Sequence, residues 1–155
     1  MSDRNVFVAA FLTAVLVVAG AFVLSQFFFF ELAKSTIFLA IAVLVFYGES
    51  RLSYMLGIIA PVLWFIVDIL TGIFFTDFRV LLAYVTGGPV AALETPLHGI
   101  SRLAAVLLIV VSFRAWRKQV PEKFFGRTFW ICSVVSLIYA VVLAVWYLRL
   151  MQGTG

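Results

Sequence analysis

Five long apolar stretches, separated by short polar segments, occupy nearly the whole chain. They are too long and too continuous for the alternating strands of a membrane barrel, so the pattern predicts helices. A helix needs about 20 apolar residues to cross a hydrocarbon core about 30 Å thick. We therefore predict an all-α, polytopic helical membrane bundle that forms a single integral membrane domain over residues 1–155. Its five transmembrane helices are expected at about 6–30, 32–48, 52–75, 97–116 and 128–150.

Two connections between the predicted spans are unusual. Neither glycine nor proline separates the first two spans, and one uninterrupted helix would overshoot the bilayer, so a tight turn is placed at Gln26–Ser35. Residues 76–96 are too apolar for a free loop and too short for two crossings. Within them, Arg79–Val85 can form two helical turns that Thr86–Pro89 must break. An interfacial or re-entrant segment is expected here.

Composition supports a membrane protein and limits its chemistry. Hydrophobic residues make up 65% of the chain and charged residues 12%, more apolar surface than a soluble domain of this size can hide. Cys132 and His98 are the only residues of their types, so one chain cannot form an intrachain disulfide, a structural zinc site or an iron–sulfur cluster. We predict no metal and no cofactor.

Basic residues concentrate in the linker between the fourth and fifth predicted spans. The linker contains five basic residues and one acidic residue, Glu122. The basic residues are Arg114, Arg117, Lys118, Lys123 and Arg127. Such a bias predicts a cytoplasmic linker, which places the N-terminus inside and the C-terminus outside, in a prokaryotic inner membrane. The same five cations are candidate contacts for anionic lipids or an acidic partner, although the topological signal alone also explains them. Nucleic-acid binding is not expected, because no folded soluble domain presents the patch.

Asp68 and Arg102 are the charged residues that fall more than one helical turn inside a predicted span. Both are expected roughly 8–10 Å below the outer ends of their helices, at 1.5 Å per residue. Ionised groups at that depth are costly unless paired, so we predict an Asp68–Arg102 ion pair. Two roles remain open for it: a structural clasp between helices, or a proton or cation site built on Asp68.

His98 lies at the predicted outer mouth of the fourth span. It is a candidate pigment or haem ligand or a proton relay with Glu94, but we favour the simpler interpretation, a histidine at the wet interface that is hydrogen-bonded to Glu94 or to a backbone carbonyl. Together with Glu31 and Lys34, these residues form a candidate polar cluster on the outer face.

No run of residues matches a catalytic signature, and the groups that a reaction site requires are missing from the pattern. We therefore expect a non-catalytic multi-pass membrane protein, an accessory or scaffolding component acting through lipid contacts and through other membrane subunits or self-association. The alternative is a small transporter or ion- or proton-translocating protein that uses the outer cluster around Asp68. A pathway through the membrane would favour the transporter, but the inner halves of the spans carry almost no charge.

Overall fold

The computed structural model describes residues 2–23, 28–90 and 95–153. These residues form six α-helices and no strand. The helices are α1 (Ser2–Val23), α2 (Phe28–Phe46), α3 (Ser50–Leu70), α4 (Ile73–Thr86), α5 (Leu97–Gln119) and α6 (Arg127–Gly153).

Five of the described helices, all except α4, are long and apolar enough to cross a membrane. The 21 residues of α3 extend about 31 Å at 1.5 Å per residue, close to the thickness of the hydrocarbon core. The 14 residues of α4 reach only about 21 Å. The all-α, five-span prediction is confirmed, and the chain is a multi-pass integral membrane protein.

The first two helices divide the chain earlier than the sequence pattern indicated. Helix α1 ends at Val23, and α2 already begins at Phe28. Phe28–Phe30, expected to finish the first span, therefore form the first turn of the second, and Glu31 and Lys34 lie within a helix instead of a turn. Uncharged aromatic residues fit either helix equally well, so hydropathy alone did not locate this boundary. Part of the predicted turn, including Gln26, lies outside the described residues.

The third span also ends earlier than expected, at Leu70 instead of residue 75. Gly72 has a φ of 76°, a left-handed conformation that glycine adopts without strain, and α4 begins at the next residue. Helix α4 ends where Gly87 takes a φ of 71° and the Gly88 N–H donates to the Ala83 carbonyl. One helix of nearly four turns, Ile73–Thr86, thus begins three residues before the segment predicted over 76–96 and extends into it, longer than the two turns expected from Arg79.

Helices α1, α2, α3 and α5 form the body of the bundle, in which α3 touches all the others. Tyr54, Phe38, Ile41, Met55 and Leu108 are its largest fully buried side chains. Helix α6 follows α5 in sequence but packs on α3, with a smaller contact to α2. Only 11% of the most apolar stretch of α6 is buried inside the bundle, compared with 50% of the corresponding stretches of α3 and of α5. Helix α6 therefore lies at the periphery.

The alternating helix directions define two ends of the bundle. The start of α1, the α2–α3 turn and the α5–α6 connection lie at one end, here called the linker end. There the hydroxyl of the fully buried Tyr54 contacts the carboxylate of Asp3 and the side-chain amide of Gln119. This contact joins α1, α3 and α5 at the linker end.

Candidate functional site

The principal polar site lies at the end of the bundle opposite the linker end. It contains five ionisable side chains, here called the charged cluster: Glu31, Lys34, Asp68, Asp77 and Arg102. They come from α2, α3, α4 and α5, so the cluster connects four helices.

Arg102 is the centre of the charged cluster. Its Nη1 lies 2.9 Å from Asp68 Oδ2, and its Nη2 lies 2.5 Å from Asp77 Oδ2. The contact with Asp68 lacks hydrogen-bond geometry, so we describe it as an ion pair. The side chains of Arg102 and Asp68 are 7% and 5% exposed. Because so little of it meets solvent, the Asp68 carboxylate depends on the guanidinium to compensate its charge.

Helix α4 provides the cover over this ion pair. Because α3 ends at Leu70, Asp68 lies only about 3 Å along the axis from the helix end, nearer to it than the sequence suggested. It is nevertheless only 3% exposed, since α4 folds back after Gly72 and places Asp77 against Arg102. Gly99 permits this approach: a Cβ there would lie 2.8 Å from the Cβ of Leu81 on α4.

Asp77 is the member of the charged cluster that sequence analysis did not identify. It falls in residues 76–96, for which the sequence predicted only an interfacial or re-entrant segment. Asp77 contacts Arg102 because the chain reverses direction at Gly72. The signal of this contact in the sequence was an acidic residue five positions after that glycine.

Lys34 and Glu31 form the second pair of the charged cluster. Lys34 Nζ lies 2.8 Å from Glu31 Oε1, one helical turn away on α2. The indole ring of Trp64 connects this pair to Arg102: Lys34 Nζ lies 5.6 Å and the Arg102 guanidinium carbon 5.0 Å from its centroid. Cation–π attraction to Trp64 thus holds both cations beside one ring. Trp64 was also not identified from the sequence.

His98 lies beside the charged cluster, between α5 and α1. A Cβ added at Gly20 would lie 3.0 Å from His98 Cε1, so the ring fills the space that the glycine leaves. Among the described residues, none forms a hydrogen bond with the buried His98 Nε2. Glu94, proposed as its relay partner, lies outside the described residues, and that relay stays a prediction.

The formal charges of the cluster do not balance: three carboxylates face two cations. His98 is close enough for Glu31, Asp77, Lys34 and Arg102 all to act on it electrostatically. The cluster can therefore accommodate one additional positive charge, such as a proton. The described residues contain no group of three or more His, Cys, Asp or Glu side chains placed to hold a metal ion.

The five basic residues of the predicted lipid patch all lie at the linker end, exposed. They belong to the last turns of α5, to the connection and to the first residue of α6: Arg114, Arg117, Lys118, Lys123 and Arg127. Within the described part of the chain, none of them lies within ion-pair distance of a carboxylate. Arg117 has an aromatic neighbour: its guanidinium carbon is 5.9 Å from the centroid of the Phe113 ring.

Several hydroxyl groups are buried in the bundle away from the charged cluster, and two of them, Ser112 Oγ and Ser136 Oγ, have no hydrogen-bond partner among the described residues. Thr13 and Ser53 donate hydrogen bonds to the carbonyls of Ala9 and Ser50 in their own helices. Such bonds satisfy these two hydroxyls within their own helices.

Comparison of the chain with protein-family models, with curated proteins and with solved structures gives no match.

Proposed function

We propose that the protein is a non-catalytic component of a membrane assembly, acting through contacts with other membrane subunits, with further copies of itself or with lipid. The observation that carries this proposal is the peripheral position of α6. Helix α6 packs mainly on α3, and only 11% of its most apolar stretch is buried inside the bundle. Most of its surface is therefore exposed to a neighbouring molecule.

The exposed surface of α6 is made of branched apolar side chains. Val134, Leu137, Ile138, Val141 and Val142 are each 52–60% exposed. Helix association inside a bilayer depends on van der Waals packing and interhelical hydrogen bonds, since lipid chains are as apolar as leucine. We assign the contact with a protein partner to this face.

The charged cluster supports a packing role more than a reaction site. Arg102 pairs with two carboxylates from two other helices, and Lys34 pairs with Glu31 in its own helix. The ion pairs that Arg102 makes between helices fix the relative positions of α3, α4 and α5. In the proposed role, the cluster keeps the bundle rigid while α6 makes the contact.

For the membrane and the orientation, we propose a prokaryotic inner membrane with the linker end in the cytoplasm. Among the described residues, the linker end and its neighbouring segments carry seven basic residues against three acidic ones, whereas the opposite end carries four basic and three acidic residues. The test uses single cysteines at Lys118→Cys or Arg149→Cys in a Cys132→Ala background, treated with a membrane-impermeant maleimide. Labelling of Arg149→Cys in intact cells, and of Lys118→Cys only after permeabilisation, is expected. The reverse pattern would contradict the orientation.

Photo-cross-linking tests the contact face. A benzophenone amino acid at Leu137 on α6 is compared with one at Leu103 on α5, because the two leucines are 55% and 56% exposed. We expect a discrete protein adduct from position 137 and none from position 103. Equal adducts from both positions, or none from either, would contradict the assignment of α6 as the contact face.

The second candidate function is ion or proton translocation through the charged cluster. The excess of one carboxylate over the cations, together with the neighbouring imidazole of His98, favours it specifically. It ranks second because the ion pairs of the charged cluster all lie at one end of the bundle, and the described spans show no second layer of paired charges between the cluster and the linker end. Proton flux into liposomes that contain the purified protein, abolished by Asp68→Asn, would favour translocation over the packing role.

A further inference from the structure

A groove at the linker end has the size and lining of a lipid site. Its volume is about 490 Å³, within the range of small-molecule pockets, which is about 300–1,000 Å³. The last turns of α5 form one wall and the α5–α6 connection the other, with the lining residues Phe113, Trp116, Arg117, Val120, Glu122, Phe124 and Phe125.

Packed aromatic rings form the base of the groove. Phe124 lies at its centre, with ring centroids 6.0 Å from Phe113, 6.2 Å from Trp116 and 5.8 Å from Phe129. Trp116 is only 3% exposed, so the base is anchored in the bundle. Phe125, by contrast, is 73% exposed at the rim. An apolar chain can therefore enter from the side and rest on a fixed surface.

Glu122 is the acidic residue of the lining, and it is already engaged. Its Oε2 accepts a hydrogen bond from the Thr128 hydroxyl at 2.8 Å, and its Oε1 accepts one from the Thr128 N–H at 3.3 Å. These bonds from Thr128 lower the pKa of Glu122 below its ordinary value. The carboxylate thus caps the start of α6, and Arg117 remains available to a ligand.

The position of the groove relative to the membrane indicates which class of molecule it can bind. The connection of seven residues, 120–126, joins two helices that are each long enough to span a membrane, so the groove must lie where headgroups meet acyl chains. An arginine guanidinium binds a phosphate through two parallel hydrogen bonds, and aromatic rings accommodate an acyl chain at this depth. We propose that the groove binds one anionic phospholipid, with its phosphate at Arg117 and its acyl chain along Phe113, Phe124 and Phe125.

This site is independent of the proposed contact through α6, because it uses other residues at another part of the surface. Arg114 provides the matched control for Arg117: it is an exposed arginine one turn earlier on α5 that does not line the groove. Phe46, 79% exposed at the end of α2, is the control for Phe125.

Native mass spectrometry of the purified protein, equilibrated with phosphatidylglycerol or with phosphatidylcholine, tests the proposal. Retention of one phosphatidylglycerol per chain is expected, reduced about tenfold by Arg117→Gln, as for loss of one charge-assisted phosphate contact. Phe125→Ala should also reduce it, whereas Arg114→Gln and Phe46→Ala should change it less than about twofold. Thermal melting confirms that each variant is folded.

Four results would overturn the lipid assignment. Equal losses from Arg114→Gln and Arg117→Gln would indicate attraction to the whole basic patch, and equal retention of phosphatidylcholine would remove the role of the anionic headgroup. Displacement of the lipid by glycerol phosphate would show that the headgroup alone is recognised. Co-purification of an acidic protein in place of lipid, lost with Arg117→Gln, would replace the proposal by a protein interface.

Discussion

Removing the Arg102 guanidinium is the sharpest perturbation of the charged cluster. In Arg102→Leu, the carboxylates of Asp68 and Asp77 lose their shared cation while their side chains remain 5% and 16% exposed. Breaking a buried pair by removing one partner costs about 3–5 kcal/mol, because an uncompensated charge stays buried. We expect the free energy of unfolding to fall by about that amount. Circular dichroism during titration of mixed micelles with a denaturing detergent measures it.

Arg102 pairs with two carboxylates, and this arrangement provides a control for the prediction. Asp68→Asn leaves Arg102 paired with Asp77, so its effect should be smaller, about 1–3 kcal/mol. Replacing all three residues, with Arg102→Leu, Asp68→Asn and Asp77→Asn, removes every charge and should recover most of the lost stability. A charge swap between positions 68 and 102 is unsuitable, since Arg102→Asp would place a new carboxylate beside Asp77.

Two results would refute this reasoning. The first is an Arg102→Leu variant that unfolds within about 1 kcal/mol of the original protein, because Arg102 then compensates no buried charge. The second is a triple variant as unstable as Arg102→Leu, because the loss would then come from packing of the arginine stem.

Three further predictions concern other contacts between or at the ends of helices. Gly20→Val should force α1 away from His98 and lower stability by about 1–3 kcal/mol in thermal denaturation, with part of the loss recovered on adding His98→Ala. Tyr54→Phe should cost roughly 1–2 kcal/mol in the same assay, because the hydroxyl contacts at the linker end are lost; an unchanged melting temperature would contradict this. Glu122→Gln should lower the melting temperature at neutral pH. Since the folded pKa of Glu122 lies below its ordinary 4.5, the difference from the original protein should persist above that pH and vanish as the pH falls through the folded value.

The number of spans was predictable because membrane thickness and hydropathy determine it almost alone. The ends of the helices were less predictable from hydropathy. Phe28–Phe30 are apolar enough to belong to the first helix or to the second, and Gly72 ends α3 through its backbone conformation, which hydropathy does not reveal. The closeness of Asp68 and Arg102 followed from the cost of isolated charge in lipid, a general argument that needs no coordinates.

Other parts of the site required the folded chain. Asp77 reaches Arg102 because α4 reverses direction after Gly72, and Trp64 lies between two cations because α2, α3 and α5 meet there. The groove at the linker end depends on how Phe124 packs among its neighbouring rings. Contacts of this kind join residues distant in sequence, and a hydropathy pattern carries no information about them.

The most direct test of the proposed function is the mass of the protein purified from its native membrane in mild detergent. If the protein works as a component of an assembly, it should be recovered in a defined stoichiometric complex, with other subunits or with further copies of its own 17.3 kDa chain. Recovery as a single chain that also transports protons after reconstitution would contradict the account and assign the function to the charged cluster.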